Sequence, residues 1–479
     1  MVGGRIAQRS GVVACLGMTD QSAMPDLSGR ARRHLWMHFT SLGGFADSEV
    51  PVIARGEGCY VWNQHGKRYL DGLSGLFTVQ VGHGRSELGQ AAAKQAETLG
   101  YFPVWSFAHE PAIELATRLA ALAPGDLNRV FFTPSGGDAV DTAIKLSRQY
   151  FKLRGEPART KVISRTLAYH GTSIGALSVT GIPSIKTPFE PLMPGAIKVQ
   201  TPYRYRCHDC QHLDACTLRC ADDLELRIEM EGADSVAAVF MEPLQNTGGA
   251  FAPPEGYWQR IREICDRHGV LLVSDEVICA FGRLGHMFGS DRYGYQPDLV
   301  TFAKGVTSGY SPLGGVMVSD RIAEPFLDDP NTFLHGNTFG AHPVSCAVGL
   351  ANLDILERED LCGHVLANEA RFTELLDGLR DIPIVGDVRG DGYFRAIELV
   401  SDQATKGAFT PDESRWLLRG FLSPRLYEAG LICRADDRAE PVITLAPPLI
   451  AGEEELSFIA HTLRTVLSAA SVELAARRS

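Results

Sequence analysis

The 479 residues carry 46 Lys and Arg against 57 Asp and Glu, a formal net charge of −11, with 45% hydrophobic and 22% charged residues. Such a chain is long enough to bury at least one large core and to fold as one larger and one smaller domain. It supplies no basic stripe for nucleic acid or an anionic membrane, and no apolar run long enough to span a bilayer.

The 11 cysteines are odd in number and scattered, which suits a reducing compartment, the cytoplasm, better than a disulfide scaffold. Val12-Val13-Ala14-Cys15 resembles a lipoprotein cleavage box, but only Gly11 to Ala14 separate Arg9 from Cys15, far short of a signal-peptide apolar core. Residues 1–30 are therefore expected as a disordered lead, with Met18 and Met24 as alternative starts.

Val61 to Leu70 reads as a hairpin turning at His65-Gly66-Lys67. From about residue 75, short apolar strands alternate with helical patterns. The strand candidates are Val130–Phe132, Lys161–Ser164, Val236–Met241, Val270–Ser274, Leu299–Phe302 and Gly315–Val318, with helices such as Asp138–Phe151 and Tyr257–His268 between them. That alternation is the pattern of an α/β fold, a mostly parallel sheet covered by helices. After a long helix over Ser345–Arg358 the pattern changes, with strands at Phe394–Val400, Leu431–Arg434 and Val442–Ala446. The expected division is residues 31–74 as the N-terminal part of a small α+β domain, 75–345 as the large domain, and 346–479 as the rest of the small one.

Chemistry-bearing residues gather where these strands end. The first strand runs into Ser135-Gly136-Gly137-Asp138, where consecutive glycines before a helix let backbone N–H groups converge on an anion. The second leads to Tyr169-His170-Gly171, the third to Glu242-Pro243, the fourth to Asp275-Glu276-Val277, and the fifth stops just before Lys304. Taken singly, each has a plain structural explanation: an ordinary turn, a core aromatic, a surface ion pair between loops. Together they mark the carboxyl edge of a parallel sheet, where ligands sit. An amine and a carboxylate there are what pyridoxal phosphate needs, Lys304 for the Schiff base and Asp275 to keep the pyridine nitrogen protonated.

From about Leu35 to about Ile450 the chain resembles the class III, or omega, aminotransferases of pyridoxal-phosphate fold type I. The most specific pieces are Asp275-Glu276-Val277-Ile278-Cys279-Ala280-Phe281-Gly282-Arg283 and Thr301-Phe302-Ala303-Lys304-Gly305, followed by Thr338-Phe339-Gly340-Ala341-His342-Pro343. The resemblance implies that Lys304 carries the cofactor and shuttles the substrate proton, while Asp275 pairs with the pyridinium nitrogen. Tyr169 and Val277 are expected on the two faces of the ring, with Ser135, His170 and Glu242 beside it. Gly136 and Gly137 are expected on the phosphate, helped by Thr338 from the neighbouring subunit of a homodimer. Two departures stand out. Gly137-Asp138 replaces the usual Ser-Glu, removing a hydroxyl from the phosphate site, and Phe77, expected with Arg434 in the substrate pocket, stands where related amine enzymes often have Trp.

The resemblance also bears on substrates, an amine donor and a 2-oxo acid acceptor. Relatives acting on 4-aminobutyrate or ornithine with 2-oxoglutarate carry Arg after Tyr-His-Gly and a Glu five positions beyond the Glu of Glu-Pro; here those positions are Thr172 and Thr247. Arg434 resembles the mobile Arg of amine–pyruvate and β-alanine–pyruvate aminotransferases, which favours pyruvate. Decarboxylases, racemases and aminomutases share the same scaffold residues, and a non-catalytic metabolite-binding relative is the rival from another class. Finally, Cys207, Cys210, Cys216 and Cys220 form Cys-x2-Cys and Cys-x3-Cys pairs. Four such thiols can close a tetrahedral zinc site. The gap between the pairs is short for structural zinc loops, and a cysteine-bearing insertion without metal remains the alternative.

Overall fold

The computed structural model describes residues 26–478, apart from residues 211, 329, 437 and 439. They form two compact units: residues up to Ala54 with Asn63–Gly66, and Arg55–Trp62 with the chain from Lys67 onward. In the first, Asp26 caps a helix over Leu27–His34 by accepting from the N–H of Gly29 at 2.7 Å. The lead expected to end at residue 30 thus stops short of that point, because a capped helix crosses it; its first 25 residues lie outside the described ones.

The second unit is built on a seven-stranded sheet: β1 (Arg129–Thr133), β2 (Lys161–Arg165), β3 (Ala196–Val199), β4 (Val236–Met241), β5 (Leu271–Asp275), β6 (Leu299–Phe302) and β7 (Gly314–Val318). Their order is β1-β7-β6-β5-β4-β2-β3, parallel except for β7, which runs antiparallel to both its neighbours. The sequence reading missed β3. It is short and mostly half-buried, so it lacks the continuous apolar run of a central strand.

The strands β4 to β7 are buried along their whole length, because helices cover both faces. Phe240 and Val273 pack with Val140 and Ala143 of the helix Gly136–Leu153, whereas Val239, Met241 and Leu272 pack with Trp258 and Ile261 of the helix Tyr257–His268. Each large apolar side chain buried this way stabilises the fold by roughly 1.5–3 kcal/mol. Gly269 ends the second helix at φ 62°, a left-handed cap that suits glycine, and turns the chain straight into β5. Pairing of Met241 with Ser274 and of Asp275 with Thr301 then aligns the carboxyl ends of β4, β5 and β6 on one edge.

Beyond residue 343 a helix over Pro343–Arg358 leads to a second, antiparallel sheet ordered Val385–Asp391, Phe394–Leu399, Val442–Leu445, Arg434–Asp436. The expected single strand Leu431–Arg434 is two strands. Leu431–Ile432 pairs in parallel with Leu70–Asp71, and after Cys433 the chain joins the antiparallel sheet at Arg434. That break places Arg434 at a strand start rather than a strand end. One apolar core runs from Leu115 and Met317 through Ile397 and Leu445 to Leu467, so the chain on either side of residue 345 shares it. Among the described residues no helix is long and apolar enough to cross a membrane.

Candidate active site

The edge formed by the strand ends opens into a cleft of about 450 Å³. At one end, β1 leads to Ser135, which caps the helix Gly136–Leu153 by accepting from the N–H of Asp138 at 3.2 Å. A helix start leaves its first backbone N–H groups without partners inside the helix, an anion-binding arrangement. The two glycines there differ. A Cβ on Gly136 would stand 3.0 Å from both methyl carbons of Val277 and 3.6 Å from Ala303, so only glycine leaves this wall open. A Cβ on Gly137 would meet nothing closer than the Ser173 hydroxyl at 3.6 Å.

Beside it lies a buried polar cluster of Asp275, His170, Glu242 and Arg165. Asp275, the last residue of β5, is 4% exposed; its Oδ2 lies 2.6 Å from Nδ1 of His170, and its Oδ1 accepts from the N–H of Val277 at 3.1 Å. Behind the imidazole, Glu242 accepts from the N–H of Tyr169 at 3.1 Å and from Nη2 of Arg165 at 3.1 Å. Tyr169 and Val277 both line the cleft.

Lys304 follows β6 in a short turn and also lines the cleft. Burial pulls its ammonium down to about 8, with Asp275 acting upward and Arg434 downward. Its backbone is left-handed, φ 45°, as is that of Phe77, φ 59°. Non-glycine residues held there store strain of about 1–3 kcal/mol each, which recurs at functional sites. Phe77 itself is fully buried against Phe394 and does not line the cleft; Leu76 and Thr78 on either side of it do. Its ring links Lys304, whose Nζ lies 5.9 Å from the ring centre, with Arg434, whose guanidinium carbon lies 5.3 Å away.

Ser135, Gly136, Gly137, Tyr169, His170, Glu242, Asp275, Val277 and Lys304 therefore meet in one cleft, as the strand-end pattern suggested. Thr338 does not join them: it is exposed, and its carbonyl accepts from the Tyr101 hydroxyl at 2.7 Å. Sequence reading passed over Ser173, Asn246, Thr307 and Ser311, which also line the cleft. Small polar residues in loops carry no periodic signal, so only the folded chain reveals them. Two motif residues prove structural. Arg283 is buried, donates to the Tyr393 carbonyl at 3.1 Å and to Ser74 at 3.1 Å, and is pulled down to about 9 by burial. Glu276 accepts from the N–H groups of Gly289 and Ser290 at 2.7 and 2.8 Å, and burial pushes it up to about 7.

A reactive amine, a buried carboxylate, a helix start and a wall that only glycine leaves open fit pyridoxal phosphate in each part. A family model described as aminotransferase class-III matches residues 45–467. The chain belongs to the class-III aminotransferases. It is 58% identical over 442 residues to a probable aminotransferase of Mycobacterium tuberculosis, covering 92% of this chain and 94% of the relative. It is 37% identical over 439 residues to putrescine–pyruvate aminotransferase of Pseudomonas aeruginosa (91% and 94% covered). Identity is also 37% over 454 residues to diaminobutyrate–2-oxoglutarate transaminase of Halomonas elongata (92% and 96% covered). Among solved structures, an (S)-enantioselective omega-transaminase from Thermomicrobium roseum superposes with a TM-score of 0.88 at 42% identity, covering 93% of this chain and 98% of that one. The omega transaminase of Pseudomonas jessenii in complex with PMP gives 0.87 at 33% identity, covering 94% and 98%. This aminotransferase uses pyridoxal phosphate and moves an amino group from an amine donor to a 2-oxo acid.

Proposed function

We propose that this aminotransferase carries an amino group from an ω-amine or ω-amino acid to pyruvate in two alternating half-reactions, with Lys304 and Asp275 as its catalytic pair. The observation that carries the choice of acceptor is the position of Arg434, on the same Phe77 ring as the Lys304 amine. Arg434 is not among the residues lining the cleft, and a guanidinium that turns into it can hold a small carboxylate through two parallel hydrogen bonds. When an uncharged amine binds instead, Asp436, 4.0 Å from Arg434, offers the guanidinium another partner. Thr172 lines the cleft where 2-oxoglutarate enzymes carry Arg, and the Thr247 hydroxyl is buried without a partner where they carry Glu. A second substrate carboxylate thus meets no matching Arg–Glu pair. Kinship does not decide the matter, since relatives of equal identity are named for pyruvate and for 2-oxoglutarate.

Bound pyridoxal phosphate supplies the electron sink for cleaving the bond to the substrate's amino-bearing carbon. The chain's own groups do the rest. Asp275, steadied by His170, holds the proton on the pyridine nitrogen. Lys304, depressed to about 8, is partly neutral near physiological pH and moves the proton at the substrate carbon. Gly136 and Gly137 bind the phosphate through backbone N–H groups, while Val277 and Tyr169 restrain the two faces of the ring.

A homodimer is part of the same reading. The exposed position of Thr338 supports its reaching a second copy's site, and Tyr101, Phe102, Trp105, Phe107 and Phe339 are exposed apolar side chains that a second copy would cover. The unpaired state of the described cysteines supports the cytoplasm. The test is a panel of amines assayed for alanine formed from pyruvate and glutamate formed from 2-oxoglutarate. Faster glutamate formation across the panel overturns the choice of acceptor, and sedimentation as a monomer overturns the dimer.

A further inference from the structure

The loop between β3 and the helix Arg219–Glu231 brings four thiols to one place that the transamination site does not use. Cys207, Cys210, Cys216 and Cys220 all line a second cavity, of about 310 Å³. The sulfurs of Cys210 and Cys216 are 3.5 Å apart. Cys220 comes from the first turn of the helix, so the set combines a turn with a helix start. Cys210 and Cys220 are buried, 2% and 8% exposed, whereas of the other cavity residues with ligand atoms the His208 side chain is fully exposed and Asp209 accepts from Arg219 at 3.2 Å.

We propose that this loop binds one zinc ion through the thiolates of Cys207, Cys210, Cys216 and Cys220. Sulfurs arranged tetrahedrally at about 2.3 Å from zinc are about 3.8 Å from one another. Cys210 and Cys216 already stand near that spacing. No three of the four sulfurs lie mutually within 4.8 Å, so Cys207 and Cys220 complete the set by turning their side chains onto the ion. Binding releases one proton from each thiol that ligates, and the four thiolates with the dication carry a net double negative charge. Arg204 and Arg206 line the same cavity and suit that charge.

The geometry favours this reading over a plain insertion, since Cys210 and Cys216 already stand near a tetrahedral sulfur spacing in a cavity that all four thiols line. The described residues between Cys207 and Cys216 form no helix or strand. Among the described residues, Glu225, Glu229 and His268 do bring three candidate ligand atoms within 4.8 Å of one another, but Arg260 and Arg267 already pair with Glu225. The cavity wall also includes Thr166 and Thr201, which Gln245 ties together beside the cleft residue Asn246.

The test reads metal rather than turnover. Protein produced with added zinc and purified without chelator, analysed by inductively coupled plasma mass spectrometry, should hold about one zinc per chain in the unmutated form and in Lys304→Ala. Cys210→Ser should lose it and melt at lower temperature. Zinc-free unmutated protein, or recovery of a Cys210–Cys216 disulfide from freshly purified material, overturns the proposal. Cadmium titration of metal-stripped unmutated protein needs no variant. A sulfur-to-cadmium charge-transfer band saturating at about one equivalent supports the site, and absence of the band refutes it.

Discussion

Nδ1 of His170 lies 2.6 Å from Oδ2 of Asp275, while Nε2 of the same ring is buried without a hydrogen-bond partner, 3.9 Å from Glu242. Asp275 Oδ1 accepts from the main-chain N–H of Val277 at 3.1 Å as well. Arg165 in turn fixes Glu242 behind the ring. The Asp275 carboxylate is thus set in place at the cleft by residues from the ends of the neighbouring strands β2, β4 and β5.

Asp275→Asn should lower the rate of the amine half-reaction by at least about 100-fold, since an amide cannot hold a proton on the pyridine nitrogen and such electrostatic support is worth about 3 kcal/mol. His170→Ala should cost about tenfold, through loss of one charge-assisted hydrogen bond to Asp275. Single-turnover absorbance changes with the purified holoenzyme measure both. Equal losses in the two variants would show that the imidazole has a direct role; a loss below tenfold in Asp275→Asn would remove Asp275 from the site.

Much of this arrangement was legible in advance, for a physical reason. Central parallel strands are buried on both faces, so Val236–Met241 and Leu299–Phe302 announce themselves as unbroken apolar runs, and the residues just after them fall on one edge. The helix Tyr257–His268 was equally clear from its apolar spacing. Burial or its absence explains the misses. Ala196–Val199 is half-exposed, and Cys433 interrupts an apolar stretch that splits between two sheets. Phe77 could be placed near the substrate pocket, but only the fold reveals that its ring lies behind the lining, between Lys304 and Arg434.

Gly137→Ser should slow cofactor loss about fivefold, because the added Cβ fits in ordinary contact with the Ser173 and Ser135 hydroxyls and its own hydroxyl supplies one further hydrogen bond of about 1 kcal/mol. Gly136→Ala should do the opposite, as its Cβ would press both methyls of Val277 at 3.0 Å. Dialysis against cofactor-free buffer, followed by absorbance, separates the pair. Similar behaviour of the two variants would mean that this helix start faces away from the phosphate.

The depressed Lys304 ammonium predicts a pH profile for capture of pyridoxal phosphate by the apoenzyme. Only the neutral amine attacks an aldehyde, so the rate should rise with pH and level off above about 8. The folded value lies below the ordinary lysine value of 10.5, so the folded chain binds fewer protons than the unfolded chain between them. Apoenzyme stability contributed by this group should therefore increase as pH rises from about 8 towards 10.5, and its penalty should be complete below 8. Capture that keeps accelerating past pH 10 would place the reactive amine in open solvent.

Arg434→Ala should raise the KM for pyruvate by about 30-fold or more while leaving that for an uncharged amine within about threefold, because only pyruvate brings a carboxylate and losing one side of such a pair costs about 2 kcal/mol. Thr172 and Thr247 provide no substitute cation. The same variant carries a second signature that a merely structural arginine would also have to explain. Arg434 acts on Lys304 by pushing its ammonium down, so its removal should shift the plateau of cofactor capture to higher pH. Burial, the larger cause, is unaffected, so the shift should be smaller than the full depression. Steady-state kinetics with each substrate varied in turn, together with the capture profile, give both readings on one protein. Equal losses for pyruvate and amine, with an unmoved profile, would separate Arg434 from the acceptor and return it to the role of a strand-start arginine.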